Sequence, residues 1–269
     1  MKVAITGVTG TVGTATAEKL KRRGHSIVGL GRSFDDRHHE NLDRCVEADL
    51  TTEEGRGSAR KAFDDVDAVF HLAWNIPVEN FDTDEKWEGN MVMYENVVQA
   101  AAEADVKIFI NGSSIHAGTG DIPAYTAEAS LEETPEPYRS SIDPDSDYRL
   151  KEEKPEELLS PMRNEPDSPY GESKIETEQM LREAVDNDRF PVGVSLRIGG
   201  INSEDEPRME GEPYFGSLYL SHRTICRILE AIISSENRGY HQLYAVSDNP
   251  GRIFSLQNDI GWDPEPRER

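Results

Sequence analysis

Lys2-Val3-Ala4-Ile5-Thr6-Gly7-Val8-Thr9-Gly10-Thr11-Val12-Gly13 is the stretch on which the fold turns. A short apolar run, strand-like in its lack of polar alternation, meets three glycines spaced three apart. A helical pattern opens behind them over 10–23, with Val12, Ala15, Ala17 and Leu20 on its apolar side and Gly24 as the stop. Glycines between a strand and a helix permit a sharp turn, let backbone N–H groups approach an anion, and aim the positive end of the helix at it. The anion this arrangement predicts is the pyrophosphate of a dinucleotide, contacted by Gly7, Thr9, Gly10, Thr11, Val12 and Gly13. The step is Gly-x-x-Gly-x-x-Gly rather than the more familiar Gly-x-Gly-x-x-Gly. A tight turn alone would also use glycine, but the strand before it and the helix after it argue for the binding turn.

Outward from this loop the period keeps switching. Apolar runs at 26–30, 68–72, 107–110 and 192–198 read as buried strands. Helical patterns fall at 58–63, 90–104 and 170–185. Strand and helix in turn imply an α/β doubly wound parallel sheet of the Rossmann kind, covered on both faces. The expected organisation is a dinucleotide-binding domain over 1–200 and a small substrate lobe and tail over 201–269 that is not an independent domain. Residues 121–168, rich in Pro, Glu and Asp, read as an acidic surface insertion, and 248–269 as a tail wrapping the surface.

The chain has 269 residues and a formal net charge of −23, from 52 Asp+Glu against 29 Lys+Arg, of which twenty are Arg. Such acidity repels nucleic acid and anionic lipid, so neither is an expected partner. Carboxylates in excess with few lysines suggest a halophilic protein, because molar salt shortens the Debye length to about 3 Å and mutes self-repulsion. Two cysteines, Cys45 and Cys226, form no disulfide framework and no metal pattern, and no metal is expected. With no signal peptide at Met1 and no apolar run of membrane length, the expected location is cytoplasmic.

The second strand bears on the cofactor. A site for NAD usually ends that strand in an acid that bonds the ribose 2′-OH. Here Gly31-Arg32-Ser33 follows instead. Arg32 suits a 2′-phosphate, with Ser33 adding a hydroxyl, so NADP is favoured over NAD; Asp35 or Asp36 swinging back is the competing arrangement. Further on, Tyr170-Gly171-Glu172-Ser173-Lys174 puts a phenol and an amine one helical turn apart. The lysine charge is expected to lower the phenol pKa so that the tyrosinate accepts a hydroxyl proton. Ser114, at the end of the 107–110 strand, is placed to bond the same oxygen. Turn residues at a strand end would account for Ser113 and Ser114 separately; the glycine loop, the serine and the Tyr/Lys pair in that order are what point to catalysis.

These motifs resemble the extended short-chain dehydrogenase/reductase family, the NAD-dependent epimerase/dehydratase group, from Met1 to about Pro264. Ala48-Asp49-Leu50 is similar to the family's adenine-contacting segment, and His71-Leu72-Ala73 to the one bordering the cofactor. The resemblance implies cofactor roles for Asp49, Leu50, Leu72, Ala73, Asn90 and Ile198, with Asn90 matching a structural asparagine. Ser113-Ser114-Ile115-His116, Tyr219-Leu220-Ser221 and Ile260-Gly261-Trp262-Asp263-Pro264 are most similar to uronate dehydrogenase and haloarchaeal sugar dehydrogenases, although Ile115 stands where that signature has asparagine. This likeness implies that Trp74, Asn75, His116 and Arg208 meet the substrate. It implies NAD(P)-dependent oxidation of a hydroxyl of a sugar, sugar acid or sugar phosphate, and a homodimer through the helices at 90–104 and 170–185. The alternative within the family is a sugar (nucleotide) epimerase or dehydratase with tightly bound NAD. A cofactor-sensing binding protein is a third reading, disfavoured by the Tyr/Lys pair.

Overall fold

In the computed structural model, residues 1–75, 84–120, 142–143, 149–150, 159–207, 218–249 and 252–264 are described. Seven parallel strands form one sheet in the order β3-β2-β1-β4-β5-β8-β9. They are β1 (Lys2–Thr6), β2 (Ser26–Gly31), β3 (Arg44–Glu47), β4 (Ala68–His71), β5 (Ile108–Ser114), β8 (Val192–Ile198) and β9 (Gly239–Ala245). The helices are α1 (Thr11–Arg22), α2 (Asp36–Asn41), α3 (Glu53–Ala62), α4 (Asp84–Glu103), α5 (Pro169–Asp186) and α6 (His222–Ser234). Two short strands, β6 (Ile142–Asp143) and β7 (Arg149–Leu150), pair antiparallel within the acidic insertion. This is the doubly wound α/β architecture expected from the alternating period.

A strand buried on both faces supplies apolar side chains to two separate cores. β1 does so residue by residue. Val3 and Ile5 join Ala17 and Leu20 of α1 and Ile225, Leu229 and Ile232 of α6. Ala4 joins Ala59 of α3, Val97 and Ala101 of α4 and Leu181 of α5 on the opposite face. The continuous apolar run of β1, which on its own is ambiguous between strand and helix, is therefore what a central strand requires.

The described residues beyond 200 do more than form a lobe. They supply β9, paired to β8 from Val192↔Gly239 to Ile198↔Ala245, and α6, which covers one face of the sheet. The expectation for the tail needs correction. Ile253, Phe254, Leu256, Ile260 and Trp262 are buried in the same core as α6. Leu159 bridges to Phe254, with the Leu159 N–H donating to Ile253 O at 2.7 Å. Polar residues and a glycine between these apolar residues hid the pattern, because the segment is irregular and shows no periodicity.

Phe254 is fully buried and its ring lies 4.7 Å from that of Tyr244. Phe254→Ala is expected to lower unfolding stability by about 3–5 kcal/mol, the usual cost of deleting a buried aromatic side chain. Denaturant unfolding checks this; a loss under about 0.5 kcal/mol is what a tail lying on the surface would give.

Candidate active site

In the sheet order, chain progression reverses between β1 and β4. The helix after β1 covers one face and the helix after β4 the other, which leaves a crevice at the carboxyl ends of these strands. Gly7 sits there with φ +66°, and a Cβ on it would come 2.7 Å from the Ala73 backbone nitrogen. A Cβ on Gly13 would lie 2.5 Å from Gly7 O. Both glycines are thus required by backbone packed on backbone. Gly10 differs: it is the N-cap of α1, no side chain caps it, and the first turn holds no acid. Thr9, Gly10 and Thr11 are exposed, while Val12 is half-buried. The uncapped positive end of a helix, reached by a turn without bulky side chains, fits a dinucleotide pyrophosphate.

Thr6 ties this turn to the loop after β4. Its hydroxyl oxygen accepts from the Leu72 and Ala73 N–H groups, both at 3.2 Å, and lies 2.8 Å from His71 Nδ1. With two donors already on the oxygen, the hydroxyl proton is left for Nδ1, so His71 is the neutral Nε2–H tautomer. Burial, with Lys174 nearby, pushes the His71 pKa down to about 3, in keeping with a permanently neutral ring. Asn90 fixes the same loop further on. Its side-chain oxygen accepts from Asn75 N at 2.7 Å and its amide donates to Asn75 O at 2.9 Å. Asn90 therefore spends its amide on backbone, as the structural asparagine of the resemblance would, and supports Leu72, Ala73, Trp74 and Asn75 from beneath.

The helix that carries the Tyr/Lys pair starts where its cap dictates. Ser168 accepts from Gly171 N at 3.2 Å, and Pro169 occupies the first turn. Tyr170, Lys174 and Glu178 then follow at one-turn spacing along one side. Ser114 is close enough to the Tyr170 phenol to favour its charged form. It lies in β5, in register with Ile198 of β8, so residues 111–114 are strand rather than turn. Lys174 is buried, donates to Gly112 O at 2.9 Å, and sits 3.6 Å from the centroid of the Trp74 ring and 5.6 Å from that of Tyr170. A cation over an indole face is an attractive pairing.

The expectation that Lys174 depresses the Tyr170 pKa is not met in the chain alone. Burial pushes the phenol above its ordinary range, against the Ser114 hydrogen bond, and the Asp167 charge pushes the same way. Burial also brings Lys174 down to about 7, against the opposing pull of Glu178. The reason is desolvation: both groups lose water, and an amine that has itself given up part of its charge cannot stabilise a phenolate fully.

Beneath the pair lies a polar network that the sequence reading did not anticipate. Arg197, fully buried, grips Glu178 with two bonds of 2.9 and 2.7 Å. Ser113 donates to Glu178 Oε1 at 2.5 Å, and Gln242 Nε2 donates to Glu178 Oε2 at 2.8 Å. Arg197 also bonds Arg163 O and Asn164 Oδ1, the latter at 2.9 Å, which anchors the segment returning from the acidic insertion. A buried ion pair survives only with its remaining donors and acceptors satisfied, as these are. The signal available in sequence was Glu178 at the next i+4 position after Tyr170 and Lys174. Asp167 is a second functional candidate that was missed, bonded to His116 Nδ1 at 2.6 Å.

At the other end of the crevice, Arg32 and Ser33 are exposed just beyond β2. The Asp35 side chain accepts from His38 N at 3.2 Å and caps α2. Asp49 accepts from Thr51 N and Oγ1 at 3.0 and 2.7 Å; these bonds, with Arg32 nearby, hold its carboxyl below the usual range against a burial effect. Leu50 is buried next to it. Arg208 lies outside the described residues. Among the described residues, no helix is long and apolar enough to cross a membrane, and no group of three or more His, Cys, Asp or Glu could hold a metal ion.

The sequence profile of the "NAD dependent epimerase/dehydratase family" matches residues 3–199. The chain is 29% identical over 274 aligned residues to an L-arabinose 1-dehydrogenase (NAD(P)(+)) of Haloferax volcanii, covering 98% of this chain and 96% of that one. It is 26% identical to the uncharacterized protein YtbQ of Bacillus subtilis, over 98% of this chain and 94% of the relative. A solved structure titled mutated uronate dehydrogenase superimposes with a TM-score of 0.70 at 18% identity, covering 98% of this chain and 82% of the other.

The Lys174 shift has a consequence for stability. Between pH about 7 and 10.5 the unfolded chain binds a proton that the folded chain does not. Folded stability therefore rises with pH across that window, and the full penalty is present below it. Lys174→Met removes the penalty. The stability of this variant relative to the parent is expected to be most favourable near pH ~6 and to fall as pH rises towards ~10. Urea unfolding at a series of pH values measures this, and a difference that does not change with pH contradicts the burial of the amine.

Proposed function

The chain belongs to the NAD dependent epimerase/dehydratase family, and on that premise we propose that it is an NAD(P)-dependent dehydrogenase oxidising a hydroxyl of a sugar, sugar acid or sugar phosphate. The observation that carries this reading is the convergence of three groups: Lys174 Nζ lies 5.6 Å from the centroid of the Tyr170 ring, and Ser114, at the end of β5, acts on the same phenol in favour of its charged form.

Ser114 and Tyr170 together form a cradle for one substrate oxygen. Ser114 donates to it and Tyr170 takes its proton. The dinucleotide, when bound, supplies the hydride acceptor and a positive charge beside the phenol. Lys174 takes up a proton as Tyr170 gives one up, since an ammonium next to a phenolate offsets two buried charges that are each costly alone. Trp74 and the Gly112 carbonyl hold that amine in place, and the Thr6 and Asn90 contacts hold Trp74. Gly7, Thr9, Gly10, Thr11, Val12 and Gly13 would hold the pyrophosphate, Asp49 and Leu50 would border the adenine, and Leu72, Ala73 and Ile198 the nicotinamide side.

NADP is the favoured dinucleotide. Arg32 is exposed at the end of β2, and of the two nearby acids that could serve a ribose 2′-OH, Asp35 is used to cap α2 and Asp36 lies in its first turn. We place Trp74, Asn75, His116 and Arg208 on the substrate side. The work is assigned to a salt-rich cytoplasm, in keeping with the net charge of −23. A homodimer through α4 and α5 would bring together exposed Glu95, Glu172, Glu176 and Glu183, and so would need salt to form.

The family also contains enzymes that return the hydride to the sugar. Net formation of NAD(P)H from an aldose, uronate or sugar phosphate in molar potassium chloride distinguishes a dehydrogenase from those. Tyr170→Phe is expected to slow turnover by about 10²–10⁴-fold while dinucleotide binding is kept. Arg32→Glu is expected to cost more than about tenfold in kcat/KM with NADP and little with NAD. Steady-state assays of reduced dinucleotide check both; near-parent turnover by Tyr170→Phe refutes the assignment of the base.

A further inference from the structure

A row of polar side chains crosses the middle of the sheet. Thr6, His71, Asn111, Ser195 and Gln242 are register partners on β1, β4, β5, β8 and β9. Register partners in a parallel sheet share a face. Here it is the face that α4 and α5 cover: the His71 ring lies 5.3 Å from that of Tyr94, and the Asn111 amide reaches Thr177. Two residues earlier on the same face, the row is Ala4, Val69, Phe109, Gly193 and Tyr240, apolar up to its last member. Thr6, His71, Asn111 and Ser195 are each at most 2% exposed.

Buried polar groups are costly unless bonded, so each donor and acceptor in such a row needs a partner. On the β1 side, the Thr6 hydroxyl accepts from the Leu72 and Ala73 N–H groups and gives its proton to His71 Nδ1, which leaves the proton of the neutral ring on Nε2. On the other side, Thr177 Oγ1 donates to Lys174 O at 2.8 Å, so towards Asn111 it only accepts. The Asn111 amide N–H groups therefore point at Thr177 Oγ1, at 3.1 Å, and at Ser195 Oγ, at 3.4 Å. Gln242 ends the row, its Nε2 donating to Glu178. What is left over is one donor, His71 Nε2–H, and one acceptor, Asn111 Oδ1. Both atoms are buried, and neither has a partner among the described residues, so they do not bond each other. Yet their residues are paired across β4 and β5.

A leftover donor beside a leftover acceptor calls for a small molecule that accepts from one and donates to the other. Water does both, and a buried water ordinarily makes two to four such bonds. An ammonium ion would serve Asn111 alone, and an anion His71 alone. We propose that His71 and Asn111 bind one buried water molecule, which closes a hydrogen-bonded row from the dinucleotide turn at Thr6 to the catalytic helix at Thr177. The closed row fixes the His71 ring, and through it the Thr6 hydroxyl that ties the turn to the loop carrying Trp74. The water site stands apart from the dehydrogenase reading; only its effect on dinucleotide affinity rests on that reading.

Nuclear magnetic resonance on the intact chain with isotope-labelled histidine, in molar potassium chloride, reads the site. A proton is expected on His71 Nε2 and none on Nδ1, with a cross-peak from that proton to a long-lived water. A high-resolution crystal structure is expected to place a water oxygen about 3 Å from both atoms. A proton on Nδ1, a direct bond from Nε2 to Oδ1, or a crystal with no water between them overturns the site. Asn111→Leu removes the acceptor and is expected to lose the cross-peak; Ser195→Ala leaves Oδ1 in place and is expected to keep it. A cross-peak that persists in Asn111→Leu overturns the role of Asn111. Should that variant fail to fold, the parent spectra and crystal decide the proposal.

Titration with NAD and NADP reads the consequence. Asn111→Leu is expected to bind about three- to tenfold more weakly than the parent, the usual size of one lost hydrogen bond, and Ser195→Ala within about twofold of it. Asn111→Leu that loses the water and binds as tightly as the parent overturns the hold on the turn. A parent that binds neither dinucleotide overturns the cofactor reading, while the spectra still decide the water site.

Discussion

Everything at the mouth of the crevice depends on keeping one ammonium out of water. Lys174 is buried between the Gly112 carbonyl and the Trp74 ring, and burial, against the pull of Glu178, brings it down to about 7. A desolvated amine is tolerated only if its surroundings are rigid and partly compensating. The Thr6 hydroxyl and the Asn90 amide provide the rigidity by pinning the loop that carries Trp74. Glu178, held in turn by Arg197, Ser113 and Gln242, provides the compensating charge. The arrangement explains why so many buried polar side chains gather under one short stretch of helix, where an apolar core would be cheaper.

The consequence is a pair of groups, phenol and amine, that both resist ionising in isolation. A positive charge brought in with a cofactor would favour the phenolate of Tyr170, and the low-dielectric setting would make that effect large. Burial of Tyr170 raises its proton affinity, and the same burial makes Lys174 responsive to a new neighbour. A surface lysine, screened by water and salt, would have neither sensitivity nor leverage.

How far the sequence alone carried the argument depends on where the information is local. The glycine turn was legible because Gly7 takes a positive φ and Gly13 packs against the Gly7 and Val8 backbone, both local constraints, and β1 and β8 were legible as continuous apolar runs. Ser114, Tyr170 and Lys174 were recognisable by order and spacing. The tail from Ile253 to Trp262 was not, since its burial depends on contact with Leu159 and α6 far away in the chain. Short α2 and β3 at the sheet edge, whose side chains are half exposed, leave little hydrophobic pattern to read. Glu178–Arg197 and His116–Asp167 join residues 19 and 51 positions apart, and nothing local marks either as a pair. The expected drop in the Tyr170 pKa failed for the same reason, because spacing reveals proximity but not the loss of water.

The chemistry is tested most directly by following the hydrogen itself. A sugar deuterated at the carbon to be oxidised, incubated with the protein and oxidised dinucleotide, should transfer its deuterium to the nicotinamide ring, with the oxidised sugar released in equal amount, as read by nuclear magnetic resonance. Deuterium that stays on, or returns to, the sugar with no reduced dinucleotide accumulating would contradict the account.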